Sequence, residues 1–261
     1  MKLTVDGKSI GFFDFDYKAI STKIGISVSG GSDSAMLFYL MAKHLKGVTL
    51  QPWSCVALED DPLKSRPHTR DAAEKVIEYV RNKFPDADIA ESHQFEIFRD
   101  DPEVLKEAKK RNQPGWWNYP MMDKGVVKII NMEKHSKVAF ETGMFGLLCV
   151  GTTMNPPQDV LDGWRKDDPN VYWEPRRSKA NTPLWDTKGS ALSHYKPFVN
   201  VNKKFLAGLY EQEDIMDLHN ITESCTGFPK DTNWFTEPCK RCFWCYERKW
   251  AFGSYDGGVT E

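Results

Sequence analysis

The chain has 261 residues, a formal net charge of -2, 40% hydrophobic and 28% charged residues. That is the balance of a globular chain with its own core, one large domain or two small ones. It excludes a membrane-spanning segment, since no apolar run nears the ~20 residues needed, and the lack of a long basic run argues against a nucleic-acid partner.

Residues 1–16 read as a hairpin turning at Asp6-Gly7, a favoured two-residue turn. "KIGISV" (23–28) reads as a buried strand. From Asp33 to about Leu45, apolar residues at 36, 37, 40, 41 and 45 have helical spacing. "PWSCVAL" (52–58) is a second strand. Residues 68–84 form a helix with Thr69 as N-cap and Pro85 past its end. A third strand is expected within 87–95, a helix over 123–135, a buried strand over 144–153 and one late helix over 202–219. Strands alternating with helices predict an α/β fold with a mainly parallel sheet. Residues 100–121 and 154–197, rich in Pro, Asn and Trp, fall outside this scheme and read as long functional loops.

Between the first buried strand and its helix stands "SGGSDS". The first turn of a helix carries unpaired N–H groups and partial positive charge, so it receives anions. Glycines let backbone approach a phosphate closely. Val28, Ser29, Gly30, Gly31, Ser32, Asp33, Ser34 and Ala35 are therefore the candidate phosphate-binding residues. A carboxylate there makes sense as a helix cap or as a ligand of Mg²⁺ bridging phosphates. No lysine follows the glycines, so this is not a Walker loop. A plain turn capped by Ser or Asp is the alternative.

Six cysteines occur. Cys55 and Cys149 sit alone in apolar runs. Cys225, Cys239, Cys242 and Cys245 crowd together, with thirteen residues in the first gap and two in each of the others. Clustered cysteines outside a small secreted scaffold point to metal. Four thiolates fill a tetrahedral Zn²⁺ site, and an iron–sulfur cluster is the other candidate.

"SGGSDS" resembles the pyrophosphate loop, SGG-x-DS, of the PP-loop ATP pyrophosphatases. The C-terminal stretch is similar to the tail of one branch, the 7-cyano-7-deazaguanine synthases: Thr222, Ser224 and Cys225, then Cys239, Cys242 and Cys245, then Glu247, Arg248, Ala251 and Phe252. Pro197 with Lys203 or Lys204 matches the branch's proline-then-lysine segment. The likeness covers about 60 residues after the hairpin and the last ~65, in order. Ser32 and Ala35 depart from the branch's usual residues, the first cysteine gap is longer, and the hairpin and both Trp-rich stretches have no counterpart.

The resemblance implies a doubly wound, mainly parallel, Rossmann-like sheet of the adenine nucleotide α-hydrolase type. It implies a hairpin extension (1–20), a nucleotide-binding domain (21–221) with insertions at about 100–121 and 154–197, and a C-terminal four-cysteine zinc segment (222–261). It implies ATP, Mg²⁺ and Zn²⁺, with 7-carboxy-7-deazaguanine and ammonia converted to 7-cyano-7-deazaguanine through an adenylate. Asp33, Lys203 and Arg248 would be catalytic. The compartment would be the cytoplasm; a homodimer stays open. A PP-loop enzyme acting on a macromolecule is the alternative: tRNA thiolation, lysidine-type ligation, or a synthase paralog modifying protein or DNA. Cys149 and the basic "PRRSK" (175–179) are its only hints. The aromatics Trp116, Trp117, Tyr119, Trp164, Trp173 and Trp185 read as packing the long loops, with base stacking as the rival. His68 and His194 are given no role.

Overall fold

A computed structural model describes residues 1–58, 68–98, 102, 103, 106, 134–167, 184–186, 193–227 and 231–261. The N-terminal hairpin pairs β1 (Lys2–Val5) with β2 (Lys8–Gly11) in antiparallel register. Its turn takes Asp6 and Gly7 to φ 48° and 75°, as the Asp-Gly pair favours. A short helical turn, α1 (Tyr17–Ile20), leads into β3 (Lys23–Ser27).

Six strands form the main sheet: β3, β4 (Thr49–Leu58), β5 (His93–Phe98), β6 (Leu147–Val150), β7 (Leu184–Asp186) and β8 (Ser193–Tyr195). Their order is β5-β4-β3-β6-β8-β7; all neighbours are parallel except the edge strand β7. The order runs outward both ways from β3 and β6. This is the doubly wound, mainly parallel sheet expected, and its switch point lies between those two strands.

Both faces of the sheet centre are covered. Ile24, Ile26, Leu147 and Cys149 join the larger core, which includes Met36, Leu37 and Leu40 of α2 (Ser32–His44) and Leu206 and Leu209 of α5 (Lys203–Gln212). Alternate residues Trp53 and Leu148 face a smaller core with Phe95, Phe145 and Ala139, the last on the helical stretch 134–141. A strand buried on both faces reads as a continuous apolar run, hence "KIGISV". Gly25 is glycine because the Phe145 ring lies over it: a Cβ there would meet that ring at 2.7 Å.

Several expected boundaries move. The third strand, expected within 87–95, begins at His93 and runs on to Phe98; before it, Ile89 makes an isolated bridge with Leu50. The late helix is two: α5 and α6 (Met216–Asn220). Between them Glu213 turns aside to pair with Lys43 of α2, Asp214 takes φ 52°, and Ile215 drops into the core. Helix α3 (His68–Lys83) lies as expected. Within 154–197 the structure shows α4 (Gln158–Asp167), β7 and β8, none of them foreseen. A last helix, α7 (Phe243–Phe252), carries Cys245. The helix expected over 123–135 and the loop 100–121 lie almost wholly outside the described residues, and the Thr69 side chain is outside them too. No helix among the described residues is long and apolar enough to cross a membrane.

Candidate functional site

The glycine loop leaves the carboxyl end of β3 at the switch point, where an open α/β sheet forms its crevice. Val28 and Ala35 are fully buried and anchor the loop at both ends. Ser34 closes it from within: its Oγ accepts from Ser29 N at 3.2 Å and donates to Gly31 O at 2.9 Å, and Ser29 Oγ lies 3.1 Å away. Gly30 has φ +79°, and a Cβ there would come within 2.6 Å of Ala72 Cβ on α3. Gly31 serves differently. A Cβ there would stand 3.6 Å from Ser29 Oγ, Ser224 Oγ and Glu223 O. The space above Gly31 is thus a small polar hollow at the N-terminus of a 13-residue helix, the chemistry of an anion cradle.

One cation and two carboxylates meet beside it. Lys203, on the first turn of α5, places Nζ 2.5 Å from Asp33 Oδ1, 3.4 Å from Ser32 Oγ and 3.6 Å from Glu247 Oε2. Thr153, just past β6, donates to Asp33 Oδ2 at 3.1 Å. Gly151 lets β6 pass: its Cβ would fall 2.5 Å from Asp33 O. Tyr210 OH donates to Ser32 O at 2.8 Å. Of the two candidate lysines, Lys203 stands beside Asp33, and Lys204 sits over the Trp250 ring, 4.8 Å from its centroid.

Arg248 is only 1% exposed. Its Nη1 donates to Thr222 Oγ1 (2.8 Å) and Thr222 O (3.1 Å), its Nη2 to His219 O (2.7 Å), and Nη1 lies 2.8 Å from Asp256 Oδ1. The guanidinium is held within a web of protein partners that reaches Ser224 Oγ, 3.4 Å from Nη1, at the edge of the space over Gly31. Asp256 Oδ2 in turn accepts from Ser224 N (2.8 Å) and Cys225 N (2.7 Å). Residues Thr222–Cys225 form a strap along the phosphate loop, joined to it by Glu223 N donating to Gly30 O at 2.9 Å. A cavity of ≈390 Å³ opens beside the strap, lined by Lys75, Glu223, Phe235, Glu237 and Val259 among others. Burial raises the Glu223 pKa against the pull of Lys75.

The sulfurs of Cys225, Cys239, Cys242 and Cys245 all lie within 4.8 Å of one another. A single tetrahedral ion with ~2.3 Å bonds to sulfur needs S···S edges of ~3.8 Å. Cys239 and Cys245 are at 3.9 Å already, so the four could hold one metal ion. Gly227 N and Cys239 N donate to Cys225 Sγ at 3.3 and 3.2 Å. Hydrogen bonds shared among the four thiols pull Cys239 and Cys242 toward the ionised form and push Cys225 and Cys245 toward the neutral thiol.

The structure thus brings Ser29–Ala35, Asp33 and Lys203 together at the carboxyl end of β3 and joins Arg248 and Cys225 to that loop through residues 222–225. Cys149 is fully buried, and burial raises its pKa well above an ordinary thiol's, which makes it a poor nucleophile. Trp164 packs on α7, its ring 5.8 Å from Phe243 and 5.7 Å from Tyr246. Trp116, Trp117, Tyr119, Trp173, "PRRSK" and the side chains of His68 and Trp185 lie outside the described residues. Sequence reasoning gave no role to Thr153, Glu247 or Asp256. For Thr153 the signal was its place just past a central strand; Asp256 stands in "YDGG", which looks like any turn.

No protein-family model matches the sequence, and the search of curated proteins returned no match. Among solved structures the chain is similar to an NMN synthetase from Francisella tularensis (14% identity, 86% of this chain and 73% of that one, TM-score 0.47). It is similar to the U34-tRNA thiolase NcsA from Methanococcus maripaludis with its 4Fe-4S cluster (14% identity, 74% and 57%, TM-score 0.42). A third is a phosphoadenylyl-sulfate reductase from Candida auris in complex with phosphate (12% identity, 78% and 80%, TM-score 0.36).

Proposed function

We propose that this chain is an ATP-dependent adenylating enzyme of the PP-loop type, converting 7-carboxy-7-deazaguanine and ammonia to 7-cyano-7-deazaguanine. The observation that supports it is the polar hollow over Gly31, edged by Ser29 Oγ, Ser224 Oγ and Glu223 O at the N-terminus of α2, whose first turn also carries Asp33 paired with Lys203. In this reading the β- and γ-phosphates of ATP rest on the N–H groups of the loop and first turn of α2. Asp33 would hold Mg²⁺, which would supply positive charge to the phosphates, and Lys203 offsets the negative charge that develops on the leaving pyrophosphate.

The substrate carboxylate attacks the α-phosphorus and pyrophosphate leaves. Ammonia displaces AMP from the acyl-adenylate and gives an amide. The amide oxygen attacks the α-phosphorus of a second ATP and pyrophosphate leaves; the nitrogen then gives up both its protons and AMP departs, leaving the nitrile. The cavity beside the strap is the acceptor's place, with Phe235 offering a ring face and Glu223 and Glu237 accepting N–H groups of a guanine-like edge. Arg248 acts by holding the strap. The four cysteines would hold Zn²⁺, and four thiolate ligands would make its part structural.

The test is incubation of the purified chain with ATP, Mg²⁺, ammonium and 7-carboxy-7-deazaguanine, with AMP, pyrophosphate and product mass measured. Nitrile formation with AMP release is expected. AMP release only after tRNA is added would transfer the acceptor to a macromolecule. No pyrophosphate exchange with any acid overturns adenylation itself.

A further inference from the structure

Two centres that the sequence keeps apart share one fastening. The strap Thr222–Cys225 lies on the phosphate loop at one end, where Glu223 N donates to Gly30 O at 2.9 Å, and its Glu223 O and Ser224 Oγ edge the hollow over Gly31. Its other end is Cys225, one of the four clustered thiols. A single carboxylate fixes the middle: Asp256 Oδ2 accepts from both Ser224 N and Cys225 N, while Oδ1 faces the Arg248 guanidinium at 2.8 Å. Arg248 grips the strap again through Thr222. Asp256 itself is 8% exposed.

We propose that Asp256 is a positioning residue: it transmits the set of the cysteine-held metal to the phosphate cradle, so that metal and pyrophosphate stabilise one another's sites. The physical reason is rotation about short strap bonds. With Cys225 held by the ion, and Ser224 N and Cys225 N held by one carboxylate, Glu223 O and Ser224 Oγ cannot swing away from Gly31. With the ion gone, Cys225 loses its strongest tether, and the strap is held by hydrogen bonds and ion pairs alone, those to Asp256 and Arg248 among them. Two ligands that favour the same arrangement of one segment must help each other, and by equal factors. The proposal rests on the phosphate-loop reading, and its test separates the two.

The probe is inorganic pyrophosphate with Mg²⁺. Its affinity is measured by calorimetry on the zinc-loaded full chain and on chelator-stripped chain whose circular dichroism is unchanged. Zinc affinity is measured by equilibrium competition with a chromogenic chelator, with and without pyrophosphate, and the ratio of the two affinities is the protection ratio. Stripping should weaken pyrophosphate binding about 10-fold, and saturating pyrophosphate should tighten zinc binding by the same factor. Asp256→Asn keeps the shape but loses the charge that draws both N–H groups; its protection ratio should fall close to one even where zinc still loads fully. A merely structural Asp256 would lower stability and leave that ratio intact, which overturns the proposal. Should the Asn variant not fold, Asp256→Glu, whose longer arm misplaces the carboxylate, must lower the ratio in the same sense. Pyrophosphate binding without protection of zinc in the unaltered chain overturns the coupling alone. Absence of pyrophosphate binding overturns the phosphate-loop reading, and the coupling with it.

Discussion

Lys203 Nζ lies 2.5 Å from Asp33 Oδ1, across the crevice from the first turn of α5 to the first turn of α2, with 4% and 13% of the two side chains exposed. Glu247, fully buried, stands on the lysine's other side at 3.6 Å. Removing the lysine takes one cation from two carboxylates at once. Removing the Asp33 charge leaves a lysine that still has Glu247. Breaking a buried pair by deleting one partner costs on the order of 3 kcal/mol. Lys203→Met should therefore cost about that much, and Asp33→Asn clearly less, in urea unfolding of the zinc-loaded chain. Equal losses, or the reverse order, would show that Glu247 does not share the lysine. Both variants should lose adenylation, since one removes the cation and the other the Mg²⁺ ligand.

The two glycines of the loop make different predictions. Gly30→Ala meets both a positive φ and Ala72 at 2.6 Å, so it should destabilise the chain by at least ~2 kcal/mol. Gly31 sits at φ -84° as the N-cap of α2, and its added methyl would touch nothing nearer than 3.6 Å. Gly31→Ala should leave the melting temperature within a few degrees yet weaken pyrophosphate binding at least ~10-fold, because the methyl fills the hollow. Full pyrophosphate affinity in Gly31→Ala would mean that the hollow is not the cradle.

The difference between those glycines is also what the sequence could not show. "SGGSDS" between an apolar strand and an apolar helix placed the loop, because buried parallel strands and helix starts carry local signatures. The four cysteines were legible for the same reason: metal geometry is written in short spacings. Asp256 was not, and Arg248 was named only through the resemblance, without its partners. An arginine in "CYERKW" looks solvent-facing until the carbonyls of His219 and Thr222, distant in sequence, turn out to receive it. The break at Asp214 was hidden likewise, since Glu213–Ile215 leaves the helix for partners on α2 and in the core.

His219 supplies a pH prediction. It is buried against Phe252, ring centroids 3.9 Å apart, and burial, then the nearby Arg248 charge, pushes its pKa from 6.5 down to about 3. Between those values the unfolded chain binds a proton that the folded chain refuses, so stability rises with pH through the window and falls as pH drops below 6.5. At pH 5 the loss from this one group is about 2 kcal/mol relative to pH 7.5. His219→Phe keeps a ring in the stack and removes the titration. Its unfolding free energy should change less between pH 7.5 and 5, by about that amount; parallel curves for the two proteins would contradict the assignment.

Metal content gives the sharpest test of the cysteine cluster. Four sulfurs within 4.8 Å of one another leave room for one ion between them. A cubane cluster, by contrast, must seat four irons and four sulfides inside the thiolate shell, so its thiolates stand farther apart. The purified chain should therefore carry one equivalent of zinc, and aerobic and anaerobic preparations should both lack the broad visible absorbance of an iron–sulfur chromophore. Cys242→Ser, which replaces a fully buried thiolate with a poor zinc ligand, should abolish stoichiometric zinc and lower stability, since metal-binding free energy is also folding free energy. Cys55→Ser should leave the zinc unchanged, because that thiol is on β4 in the sheet, outside the cluster. Iron with visible absorbance in an anaerobic preparation would mean that the cysteine segment opens wider than the distance between Cys239 and Cys245 implies.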